Sequence, residues 1–143
     1  MSFIEIYSSP LAFPINFAIH TWIVLHNTSD DTINRYDIHR WKWLKADTNF
    51  FHNLQPKEQG MHKRFWKSIH SDEHFFDGKL IKKIECENEF IEELENVIHN
   101  YPYKNKYIHY PGPNSNTFVQ YIINKCNLDI KLPRNAFWKN YKK

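Results

Sequence analysis

The 143-residue sequence predicts an α+β domain, an antiparallel sheet with helices packed against it. Three observations carry that reading. Residues 15–25 (INFAIHTWIVL) are apolar at both alternating positions and rich in β-branched and aromatic side chains, as in a strand covered on both sides. Residues 87–100 carry Phe90, Ile91, Leu94, Val97 and Ile98 at the spacing of one helical face. Residues 118–126 repeat that pattern with Phe118, Val119, Ile122, Ile123 and Cys126.

The remaining elements follow from turn and breaker signals. Residues 27–31 (NTSDD) form a turn cluster, after which residues 32–44 resume as a second strand antiparallel to the first. Residues 45–78 hold four histidines and little periodicity. They are read as a long irregular excursion with one short helix near 61–69, a cover over one end of the sheet. Residues 79–86 (KLIKKIEC) read as a short strand, and Tyr101 and Pro102 stop the first helix. A chain of this length without repeats or a low-complexity linker is expected to form a single domain, 1–143.

Composition narrows the function classes. The chain is 41% hydrophobic and 17% aromatic, which fits a folded globule with large rings in its core. A net charge of +3, with lysines scattered except at the extreme C-terminus, argues against nucleic acid as the partner. No apolar run has membrane-spanning length, and the N-terminus lacks the basic start of a secretory signal. The expectation is a cytoplasmic protein, with export that needs no cleaved signal left open. Cys86 and Cys126 lack metal-ligand spacing and read as two buried thiols. His70 and His74 have the spacing of helical zinc ligands, but the glutamate between them is misplaced, so no metal and no cofactor is expected.

The segment YPGPNSNTFV, residues 110–119, is too stiff for a linker and too polar for core. It reads as a rigid approach to a helix, with Asn114 as N-cap and Ser115 at the first helical position. There Ser115 lies beside free N–H groups and the positive end of the helix dipole. These features help an acyl-transfer nucleophile, but a serine also needs a general base. The bland reading is that Ser115 only completes the cap.

The run NYPYKNKYIHYPGPNSNTFVQYI followed by LPRNAFWKNY resembles the bacterial family known as domain of unknown function 3750. The family has a similar WPGPNSNTF block and a later AIGKDY element, where this chain has AFWKNY. AIHTWIVL and NRYDIHRW are similar to its early strands, so the resemblance covers about residues 15–141. More distantly, NSNTFV resembles the NCEHFV-like pattern of circularly permuted papain-like proteins, the lecithin-retinol acyltransferase group among them. That resemblance implies a papain-like fold, with Ser115 where the superfamily has its cysteine and His20 matching its strand histidine. It thus suggests a hydrolase or acyltransferase acting on an amide or ester. The alternative it leaves is an inactive papain-like binding module. Either would take a small-molecule, peptide or lipid ligand.

The third group of such a site would stand on the strand after the histidine. In one set of hairpin registers His20 shares a face with Arg35, Asp37 and His39. One register sets Asp37 opposite His20 and another sets His39 there. Asp37 is preferred because an acid bonded to imidazole fixes its tautomer. The candidate catalytic set is therefore Ser115, His20 and Asp37, with Asn114, Asn116, Tyr110 and His39 as candidate binding residues. Oligomeric state is not read from the sequence.

Overall fold

Alternation of Ile4 and Ile6 with Glu5 and Tyr7 builds β1 (Ser2–Pro10), which runs antiparallel to β2 (Ile19–Asn27). The computed structural model describes residues 1–10, 17–38, 50–52, 79–108 and 111–141. Within them, β3 (Thr32–Ile38), β4 (Phe50–His52) and β5 (Lys79–Cys86) complete an antiparallel five-stranded sheet in the order β4-β3-β2-β1-β5. β2 is the central strand, as its two-sided apolar character predicts. β1 was not anticipated as a strand, yet it lies inside the sheet between β2 and β5.

Two helices cover one face. α1 (Asn88–His99) buries Ile91, Leu94 and Ile98, the stripe expected from its spacing. α2 (Ser115–Lys125) buries Phe118, Val119, Ile122 and Ile123. These side chains meet Ile4, Ile6, Ile23, Leu25, Tyr36 and Ile38 of the sheet in the main core. Phe118 is fully buried, and truncating such a ring costs about 3–5 kcal/mol through lost transfer energy and the cavity left behind.

Among the described residues, the cluster on the opposite face is smaller and more polar. Tyr7, Trp22 and Val24 form its apolar part, with Ile33 packed against them. His20, Arg35 and Asp37 are buried beside it. At the far edge, β5 presents exposed Lys79, Lys82 and Lys83, the charge that discourages a strand edge from pairing with another chain.

The anticipated strand over residues 32–44 is seen as far as Ile38; residues 39–44 lie outside the described residues. Of the 45–78 excursion, only Phe50–His52 is described, and it pairs with β3. The helix near 61–69, the proposed cover, His70 and His74 lie outside the described residues.

Candidate functional site

Asn114 adopts extended backbone geometry and its carboxamide oxygen accepts from the N–H groups of Asn116 (3.0 Å) and Thr117 (3.2 Å). The Thr117 hydroxyl accepts in return from the Asn114 N–H at 3.0 Å, closing a capping box. Ser115 is thus the first helical residue, as its sequence context predicts. The approach is fixed by Gly112, whose φ of +99° suits a residue without Cβ; an added Cβ would sit 3.3 Å from Thr117 Oγ1 and from Tyr141 Cβ. The Pro113 carbonyl accepts from the Ile108 N–H at 2.9 Å, closing the loop on itself.

The polar side chains of this entry are turned to holding the fold together. Asn116 donates to the Ile19 carbonyl (2.9 Å) and the Phe137 carbonyl (3.2 Å), and accepts from the Thr21 hydroxyl (2.8 Å). One buried amide therefore clasps the start of β2 and the C-terminal segment to the helix entry. Thr117 Oγ1 donates to the Trp138 carbonyl at 2.8 Å. The Ser115 hydroxyl and main-chain N–H engage the phenol of Tyr107. Burial nonetheless pushes that phenol up to about 12, outweighing the two hydrogen bonds that favour its ionised form.

His20 stands on the other face of β2. Ile19, Ile23 and Leu25 point into the core beneath the helices, whereas His20 stacks on Trp22 with ring centroids 5.5 Å apart. Its Nε2 lies 3.1 Å from Asp37 Oδ2. Asp37 also accepts from Arg35 Nη2 at 2.8 Å and from Arg35 Nε, and the Arg35 guanidinium lies 4.2 Å from the Trp22 ring centroid. Tyr7 stacks on the Trp22 ring at 5.9 Å. The Trp22 indole N–H is buried with no hydrogen-bond partner among the described residues.

Of the candidate catalytic set, the structure brings His20 and Asp37 together; no hydrogen bond among the described residues joins Ser115 to either. Asn114 and Asn116 sit at the helix entry in cap and clasp. Tyr110 and His39 lie outside the described residues. Sequence reasoning did not single out Tyr107, Thr21 or Trp22. The only signal for Thr21 and Trp22 was their place beside His20.

A sequence profile for the family described as "Protein of unknown function (DUF3750)" matches residues 2–141. The chain belongs to this family. No curated protein and no solved structure matches it. The match begins well before residue 15 and so includes β1. Among the described residues of this DUF3750 protein, no group of three or more His, Cys, Asp or Glu is placed to hold a metal ion. No helix among them is long and apolar enough to cross a membrane.

Proposed function

We propose that this DUF3750 chain is a papain-like recognition domain that binds its ligand without turning it over. The observation that supports this is the division of the candidate machinery between two faces of the sheet. Ser115 engages Tyr107 on the helix side, while the His20 imidazole stacks on Trp22 on the other. A serine hydroxyl needs a base within hydrogen-bond reach to act as a nucleophile. The ligand would use the His20 side, where the Trp22 N–H, which has no partner among the described residues, offers a donor beside the Arg35 guanidinium. A small molecule, peptide or lipid carrying a carbonyl or carboxylate oxygen matches that donor.

A second reading, an amide or ester hydrolase or acyltransferase working through Ser115, His20 and Asp37, is favoured by the 3.1 Å contact between imidazole and carboxylate. It requires the His20 ring to reach the helix side of β2. A serine-directed fluorophosphonate probe separates the two. Mass spectrometry of the treated full-length chain is expected to find no adduct on Ser115. An adduct there that disappears in His20→Ala would assign the chemistry to the second reading.

A further inference from the structure

Three partly exposed aromatic residues lie on two joined loops beside the α2 entry. Phe17, Phe137 and Trp138 are 64%, 40% and 41% exposed. Phe17 and Phe137 meet edge to face with centroids 6.0 Å apart. Their two loops are joined, because the Asn135 side-chain amide donates to the Phe17 carbonyl (3.3 Å) and the Asn135 carbonyl accepts from the Ile19 N–H (3.2 Å).

The arrangement is held from inside. The Asn116 amide bonds the Phe137 carbonyl, and the Thr117 hydroxyl bonds the Trp138 carbonyl. Trp138 takes a φ of +65°, a region that bulky residues rarely occupy. These bonds fix the main chain of the loop against the helix entry while both rings stay partly in water. Residues 130–141 also carry Lys131, Arg134 and Lys139 and no acidic residue.

We propose that the Phe17–Phe137–Trp138 patch docks the protein onto an anionic lipid surface. The rings would enter the boundary between headgroups and acyl chains, with Lys131, Arg134 and Lys139 against headgroup phosphates. Area favours this occupant. Three partly exposed rings present on the order of 300 Å² of apolar surface, whereas a specific protein interface needs about 800 Å² from each partner. A bilayer needs no matching surface, so each ring inserts on its own account. Charge agrees, since each basic residue near an anionic membrane adds about fivefold to binding. The proposal does not depend on whether the Ser115 end of the molecule turns over a ligand.

Co-sedimentation of the full chain with vesicles tests it, at about 0.1 M salt where headgroup charge still acts over roughly 10 Å. The wild type is expected to sediment with phosphatidylcholine–phosphatidylglycerol vesicles and only weakly with phosphatidylcholine alone. Phe17→Ser and Trp138→Asn should each lower binding several-fold, asparagine being chosen because it tolerates positive φ. Lys131→Glu with Arg134→Glu should lower it further and flatten its salt dependence. Far-UV circular dichroism checks that each variant is folded, and Phe17→Ser, at the most exposed ring, serves alone if Trp138→Asn unfolds. Failure of the wild type to bind mixed vesicles overturns the proposal, as does unchanged binding by folded Phe17→Ser. Dimerisation abolished by Phe17→Ser would give the patch to a second copy, and Phe17-dependent binding of single-stranded RNA would give it to nucleic acid. Either result without vesicle binding also overturns it.

Discussion

His20 and Asp37 are diagonal neighbours across the β2–β3 ladder, and their side chains still meet at 3.1 Å. The ladder pairs Ile23 with Tyr36 and Val24 with Arg35, a register in which Asp37 faces Trp22. Diagonal pairs on one sheet face lie within reach of long or aromatic side chains, and here the carboxylate serves both the imidazole and Arg35.

Asp37 is fully buried and its carboxylate is the counter-charge of a buried guanidinium. Asp37→Asn preserves shape but removes the negative charge that the Arg35 guanidinium bonds. Removing one partner of such a pair costs about 3–5 kcal/mol, which urea denaturation should report as a lower midpoint. A loss below about 1 kcal/mol, the range of exposed ion pairs, would mean that the guanidinium is not confined as described.

Asn116 should matter more than the cap residue itself. Asn116→Ala removes bonds to Ile19 and Phe137 and leaves the buried Thr21 hydroxyl without its acceptor. The expected cost is about 2–4 kcal/mol, against about 0.5–2 kcal/mol for losing the N-cap in Asn114→Ala. Thermal unfolding of the two variants ranks them, and the reverse order would contradict the clasp.

Two tyrosines should respond oppositely to loss of their hydroxyls. The Tyr101 hydroxyl is buried without a hydrogen-bond partner among the described residues, so Tyr101→Phe should be neutral or stabilising by up to about 1 kcal/mol. Tyr107→Phe takes a partner from Ser115 and should cost about 1–2 kcal/mol. Denaturation curves showing Tyr101→Phe clearly destabilised would imply that its hydroxyl is satisfied after all.

Alkaline titration should find reluctant phenols. Burial raises Tyr36 and Tyr107 to about 12 and holds Tyr7 and Tyr101 higher still. Because these folded-state values lie above the ordinary 10.0, their contribution is fully present below pH 10 and declines as pH rises through about 12. Tyrosinate absorbance should therefore rise only partly near pH 10, the remainder appearing with unfolding. Complete ionisation of a still-folded chain near pH 10 would refute this.

Ser115→Cys gives a chemical reading of the helix entry. Burial raises the thiols of Cys86 and Cys126, which makes them slow internal references. If the entry is architectural, the introduced thiol should alkylate no faster near neutral pH than these two. Faster alkylation that His20→Ala slows would place a base at the site and support the hydrolytic reading.

The helix entry was legible because capping is local: Asn114, Ser115 and Thr117 act on one another within a single turn. The α1 stripe was legible for the same reason, each apolar residue one turn from the next. β1 was overlooked because its apolar positions are few and Glu5 and Pro10 dilute the pattern. Its burial comes from pairing with β2 and with β5, and β5 lies far along the chain. Tyr107 went unnoticed because an isolated tyrosine before a loop carries no sign that its phenol will meet Ser115.

By itself, then, the sequence determined an antiparallel α+β arrangement, a central β2 and a capped α2 that begins at Ser115. It could not determine which side of the sheet His20 would occupy. β2 is apolar on both faces, so alternation says that two sets of side chains exist without saying which set meets the helices. Only the tertiary structure decided that. The Asn116 amide binds Thr21 and the Ile19 carbonyl, α2 packs with Ile19 and Ile23, and the alternation of the strand sends His20 to the opposite side with Trp22 and Asp37.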